Sequence, residues 1–327
     1  MQLVPIAMEA QVNNPPWAGA PAGVRVTYNT PVVAMTDNGD DITVTFADGS
    51  FKQYSAVFNT TTMGCLGRMD LSGLKLPLGE SLDQDPITAI RTLAYDRATK
   101  VAIKFDKPWW TTSTPAIING GVSSTDLPIS NVIYPSWNDP DMPNVIIVSY
   151  SWAQDATRMA SLVTDLTSAD PHEPDVNDRI VQLCFEDLSL LWRDHDPSIT
   201  PKFLQDSYVN HHAWAWSHDP WTAGAFALFA PGQFKNLYTQ FTKPMCGGKL
   251  MICGEAISAH HAWISGALDS AYNAVLAWAI KNKYAKYEDV IKNSPFGGGS
   301  GSDTQEWVEK VFYWHVKTPE LGQRERS

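Results

Sequence analysis

A chain of 327 residues in which 44% of side chains are hydrophobic can bury a sizeable core, as one large or two moderate domains. Its formal charge of −11, with no Lys/Arg-rich run set against it, excludes a nucleic-acid groove and polyanionic partners. Cys65, Cys184, Cys246 and Cys253 stand in no CxxC or zinc-like spacing with histidine, which removes support for metal chemistry, while Cys246 and Cys253 fit two reduced thiols as well as a disulfide.

Residues 1–23 are rich in Pro, Ala and Asn and give no clear periodicity after a short apolar start. They lack the basic flank and apolar run of a signal peptide, and no segment of the chain reaches the roughly 18 apolar residues of a membrane span. The expectation is a soluble protein of unassigned compartment. From residue 24 the pattern changes. Residues 24–28, 32–36, 42–46 and 51–58 are short β-branched or aromatic runs, separated by Asp37-Asn38-Gly39 and Asp48-Gly49, and predict a β-meander with tight turns. Further strands are predicted at residues 100–105, closed by Pro108-Trp109-Trp110, and at 145–150, with a loop between them that contains residues 124–128 and 132–135. Val176, Ile180, Leu183, Cys184, Leu188 and Leu191 recur at helical spacing and predict an amphipathic helix over 175–192.

Residues 249–253 read as a buried strand that runs into a turn at Gly254-Glu255 and then a helix over 263–281. Gly266, Ala267, Ala271 and Ala274 let the backbone of that helix approach another group closely. A strand, a glycine turn and a small-faced helix N-terminus make a cofactor-facing corner. Residues 294–302 read as a flexible linker and 303–316 as a short terminal helix. The 13 tryptophans exceed ordinary usage. Core packing is the commoner explanation for such residues, and an aromatic-walled pocket for a flat ligand is the sharper one. The pairs His211-His212 and His260-His261 read as partly exposed loop residues, and none is assigned a catalytic role.

The segment GEAISAHHAWISGA, residues 254–267, resembles the C-terminal flavin motif of the flavin-containing amine oxidases of the L-amino-acid oxidase type. That motif runs Gly-Glu, six variable residues, Gly-Trp-Ile/Met and a helix. The resemblance implies FAD as cofactor, with Gly254 in the turn and Glu255 hydrogen-bonding the ribityl or ribose part. It also implies that Trp263, Ile264 and Ala267 lie at the helix N-terminus that faces the pyrophosphate and isoalloxazine. Residues 24–62 resemble the family's meander, in which Val32 would meet adenine through its backbone. Residues 124–135 resemble the stretch that binds the substrate carboxylate, a role that falls to the Tyr134 hydroxyl. Residues 216–234 resemble the strand-and-turn region in which Trp216 would meet the flavin and Phe226 would line the substrate pocket. Trp263 and Ala262 complete the substrate wall, where the Ala262 methyl replaces a glycine common in relatives and narrows the space beside the substrate amine.

The fold implied is α+β, the C-terminal portion of the FAD-dependent amine oxidase fold. Residues 1–85 and 245–293 would be remnants of the FAD-binding domain, 86–244 a sheet-based substrate domain, and 294–327 linker and tail. The implied reaction converts an L-amino acid, O2 and water into a 2-oxo acid, ammonia and hydrogen peroxide. An oxidase of another primary amine or polyamine, or a non-catalytic truncated homologue or subunit, are the alternatives. The family's opening strand, GxGxxG turn and helix are absent from the sequence, so the chain is expected to begin mid-fold and not to retain FAD alone. A separate N-terminal portion or a second copy of the chain are the protein partners this suggests. Many relatives place a lysine near the flavin, and alignment back from residues 100–105 puts Pro86 at that position.

Overall fold

The computed structural model describes residues 3–13, 26–76, 85–164 and 174–284. The linker and terminal helix expected at 294–316 lie outside them. Residues Leu3–Asn13 form a helix, α1, with no buried residue, in a stretch without clear sequence periodicity. Residues 26–28, expected to be a strand, are not one: the Val26 amide donates to Asn13 Oδ1 at 3.0 Å, and among the described residues the segment pairs with no strand. The meander follows as β1 (Val32–Asp37), β2 (Ile42–Phe46) and β3 (Phe51–Tyr54), paired antiparallel, with a register shift between Val32 and Ala34. Its turns place Gly39 at φ +102° and Gly49 at φ +83°, a left-handed backbone that glycine adopts without steric cost. Met35, Ile42 and Val44 face inward, while every residue of β3 is exposed, as suits an edge strand that carries Lys52 and Gln53. The expected single run at 51–58 breaks after Tyr54. Its second part becomes β4 (Val57–Asn59), which leaves the meander for another sheet. A short helix, α2 (Met63–Leu66), leads to β5 (Asp70–Gly73), parallel to β1, and then to α3 (Pro86–Thr92), whose N-terminus is capped by Asp85 accepting from the Thr88 amide.

The central region opens with β6 (Tyr95–Asp96) and the long β7 (Ala98–Phe105). The segment expected to be a loop is instead a hairpin of β8 (Gly121–Ser124) and β9 (Asn131–Tyr134), closed by Thr125 N–H donating to Ser130 O at 2.8 Å. Next come β10 (Asn144–Trp152), α4 (Ala153–Ala160), α5 (Arg179–Trp192), α6 (Pro201–Ser207) and β11 (Tyr208–Ala215). The strands form one antiparallel sheet in the order β11-β7-β10-β9-β8. Asp178 caps α5 by accepting from the Ile180 amide, and the helix buries Ile180, Val181, Cys184, Phe185, Leu188 and Trp192 in a shared core with the sheet. Burying each such side chain stabilises by about 1.5–3 kcal/mol. Trp109 and Trp110 belong to this core, edge-on to each other at 5.6 Å and to Phe105, so the plainer explanation of tryptophan holds for this pair. His211, expected in a loop, lies in β11 with a nearly enclosed side chain: Nδ1 is 2.8 Å from the Tyr208 hydroxyl and Nε2 is 3.6 Å from Asp178.

In β10 the register slips between Ile147 and Ser149, a bulge that places two residues against one on β7. Burial before it falls on Asn144, Ile146 and Val148, and after it on Ser149 and Ser151. The bulge therefore turns Tyr150 and Trp152 to the opposite face from the one simple alternation would give them.

The chain returns through β12 (Phe226–Ala227), paired with β6, and a short helix, α7 (Gln233–Asn236). It then forms β13 (Leu250–Ile252), parallel to β4, and ends its described part in α8 (Ile264–Lys281). A second core joins Met35, Ile42, Leu66 and Leu71 to Phe241, Leu250, Ile252 and Ile257, so the meander and the β13 region pack together. Ala89 and Ile90 of α3, Ala227 and Tyr238 are part of it as well. All four cysteines are free thiols. Among the described residues no helix is long and apolar enough to cross a membrane.

Candidate active site

Strands β4 and β13 run parallel side by side, and the loops after them, residues 60–62 and 253–255, leave at the same end. The Cys253 amide donates to Asn59 O at 2.9 Å and locks the two loop starts together. The crevice outside the carboxyl ends of parallel strands is where such sheets place ligands. Gly254 stands at φ +123°, a backbone that L side chains rarely adopt, which is what calls for glycine in this turn beside the Thr60 carbonyl. A cleft of about 520 Å³ opens here, lined by Thr60, Met63, Tyr95, Tyr150, Trp152 and Phe226 on one side of the sequence and by residues 253–257, Ala262, Trp263, Ile264 and Ala267 on the other.

Of the residues expected from sequence, the structure thus brings Gly254, Glu255, Phe226, Ala262, Trp263, Ile264 and Ala267 to one cleft. Trp263, 69% exposed, is the N-cap residue of α8, and no side chain caps that helix. Its first amides remain free to meet an anion, favoured further by the helix dipole. Gly266 permits the tight return: a Cβ there would come within 2.2 Å of the His260 carbonyl oxygen. A bare glycine turn, an uncapped helix N-terminus and aromatic walls suit an elongated, anionic, flat-ringed group such as FAD.

Three expected site residues lie elsewhere. Val32 starts β1 and packs against the meander-side core. Trp216 follows β11 and meets the Trp214 ring edge-on at 6.0 Å, outside the cleft lining. Tyr134, expected to bind the substrate carboxylate, is buried in the central core, where its hydroxyl accepts from Trp192 Nε1 at 3.2 Å and is 3.3 Å from Ser123 Oγ. Burial pushes its pKa up, and Ser123 and Trp192 offset that in part. The hydroxyl is occupied within the protein and does not reach the cleft wall.

Sequence reasoning missed the tyrosine that does. Tyr150 and Trp152 lie 4.6 Å apart and line the cleft, with Lys100 Nζ poised 4.4 Å over the Tyr150 ring from the paired position on β7. The position assigned to the family's lysine fares similarly: Pro86 is the first residue of α3, buried, and lies outside this cleft. Tyr95 also lines the cleft. Its hydroxyl is pushed well above the usual tyrosine range, first by burial and then by the Glu255 charge. His261 stacks on Phe234 at 5.0 Å, and burial lowers its pKa, which favours the neutral ring at physiological pH and fits packing.

Comparison with known proteins agrees with this geometry. The family described as flavin containing amine oxidoreductase matches residues 1–277. The chain is 39% identical over 254 residues to L-amino-acid oxidase 4 of Hebeloma cylindrosporum, covering 76% of this chain and 38% of that protein. It is 37% identical over 261 residues to a protein of Dictyostelium discoideum named as a bifunctional amine oxidase, covering 77% and 22%. The chain therefore spans well under half the length of these relatives. A solved putrescine oxidase with putrescine bound superposes with a TM-score of 0.53 at 15% identity, covering 79% of this chain and 49% of that one, which supports the fold. Sequence motif, sheet topology and cleft lead to one conclusion: the chain belongs to the flavin-containing amine oxidoreductase family.

Proposed function

We propose that the chain is the C-terminal part of an FAD-dependent oxidase of L-amino acids, converting substrate, O2 and water into a 2-oxo acid, ammonia and hydrogen peroxide. The observation that carries this reading is the single cleft in which the β4 and β13 carboxyl ends, the α8 N-terminus and the side chains of Tyr150, Trp152, Phe226 and Trp263 converge. Residues 1–85 and 245–293 would belong to the FAD-binding unit and 86–244 to the substrate unit. Bound FAD would supply the two-electron oxidation of the Cα–N bond. This chain's own residues would do the rest. Gly254 and the amides at the start of α8 would hold the cofactor's anionic part, and Phe226 and Trp263 would wall the substrate from water. Tyr150 would donate a hydrogen bond to the substrate carboxylate, with the Lys100 charge behind it.

The test is a peroxide-coupled assay of the full-length protein with FAD, run on a panel of L-amino acids and on putrescine. Turnover of L-amino acids in preference to the diamine is expected. Preference for amines without a carboxylate would replace this reading with the polyamine one. Tyr150→Phe removes one hydrogen bond to a charged partner, about 1.5–3 kcal/mol, and should raise KM for L-amino acids by roughly 10- to 100-fold. Tyr134→Phe should leave KM unchanged. The reverse pattern would return the carboxylate to Tyr134.

A further inference from the structure

Glu255 opens the 3-10 turn of residues Glu255–Ile257, and its carboxylate points into the protein's own backbone. Oε1 accepts from the Ala262 amide at 2.7 Å and from the Ala227 amide at 3.1 Å, and Oε2 lies 3.2 Å from the same Ala227 amide. The two donors come from distant parts of the chain. Ala227 belongs to β12 and follows Phe226, while Ala262 precedes Trp263, and both Phe226 and Trp263 line the cleft. Ala262 sits at φ +63°, a conformation that costs an L-residue about 1–2 kcal/mol, so something must hold it there. The 2.7 Å bond to a carboxylate is a hold of sufficient strength.

We propose that Glu255 is a positioning residue: its carboxylate ties β12 to the turn before α8 and thereby fixes the spacing of Phe226 and Trp263, setting the girth of substrate side chain the cleft admits. The tie concerns this chain's backbone alone, whereas its consequence for substrate rests on the amine-oxidase reading above. The two amides take up part of the carboxylate's acceptor capacity and set its orientation. Tyr95, paired with Ala227 across β6 and β12, packs beside the same carboxylate and feels its charge.

Amide hydrogen exchange on the 327-residue chain tests the tie without any turnover. Glu255→Ala should speed exchange at both Ala227 and Ala262 by about tenfold or more, with the β7 amides of Val101 and Ile103 unchanged. Glu255→Gln keeps the side-chain shape and an acceptor at the Oε1 position, which serves both amides, and loses only the 3.2 Å contact of Oε2 with Ala227, so Ala262 should stay protected while Ala227 loosens in part. This second variant guards against a general loss of folding in the first. Change at only one amide in Glu255→Ala, or at neither, overturns the proposal. In the full-length, FAD-loaded protein, Glu255→Gln should retain flavin absorbance and shift the kcat/KM ratio of bulky to small L-amino acids by about tenfold. Loss of flavin with both amides still protected would make Glu255 a cofactor ligand and overturn the positioning role. If the wild-type protein turns over no amine while the exchange pattern holds, the functional reading fails and the tie stands.

Discussion

Gly266→Ala is expected to lower stability by about 3 kcal/mol, at the upper end of ordinary overpacking. The added methyl would lie 2.2 Å from the His260 carbonyl oxygen and 2.6 Å from Ser258 Oγ, far inside contact distance. Neither obstacle can swing aside. Ser258 Oγ donates to Glu255 O at 2.7 Å and accepts from the His260 amide at 3.1 Å, so both are fixed by backbone bonds. The gain of about 1 kcal/mol in helix propensity on replacing glycine is outweighed. Thermal denaturation should show a fall in Tm of roughly 6–12 °C. An unchanged Tm would mean that α8 does not approach this loop so closely.

Lys249→Met should have a comparable or larger effect, because it strips a buried carboxylate of its counter-charge. Lys249 Nζ lies 3.3 Å from Asp37 Oδ1, with the Asp37 side chain 2% exposed, and it also donates to the Cys246 carbonyl. Removing one partner of a buried pair costs about 3–5 kcal/mol. The pH dependence gives a sharper check. Burial works to raise the Asp37 carboxyl, but the Gly39 amide and the Lys249 ammonium outweigh it and hold the group below the ordinary carboxylate range. A depressed folded pKa stabilises the protein at pH above the unfolded value, about 3.9, and that stabilisation is lost as pH falls toward the folded value. Wild type should therefore weaken on acidification through this window. The variant carries an unpaired buried carboxylate that protonation relieves, so its deficit should shrink over the same range. A deficit independent of pH would show that packing, rather than charge, is what Lys249 supplies.

What could be read from sequence was chemistry confined to short stretches. The meander turns at Gly39 and Gly49 announce themselves through residues that tolerate positive φ, and the strand-turn-helix of β13, Gly254 and α8 is contiguous. Its neighbours in the motif consequently arrived together at the cleft. The misplacements came where long-range pairing decides. Residues 51–58 look like one strand, yet β4 leaves β3 because β13, nearly 200 residues later, offers it a parallel partner. Tyr134 and Tyr150 are both tyrosines on adjacent strands of one sheet, and composition does not separate them. Parity does: Tyr134 ends β9 facing the core, and Tyr150 follows the β10 irregularity. α1 was invisible because its apolar residues, Leu3, Val4, Ile6, Met8 and Val12, bury nothing and so leave no inward stripe to detect.

The extra residue in β10 has a consequence for how this cleft can vary among related chains. Val148 and Ser149 both face inward, so deleting Val148 would leave Ser149 opposite Val101 and Tyr150 opposite Lys100, as they are now, and the aromatic wall would survive the loss. Keeping Val148 but pairing it one to one with β7 would do the opposite: strict alternation would carry Tyr150 and Trp152 into the core and bring Ser149 and Ser151 out to the cleft. The wall is thus written by where the slip falls along the strand and not by composition alone. Point substitutions tune such a surface in small steps, whereas moving the slip past Trp152 would act as a frame change in three dimensions.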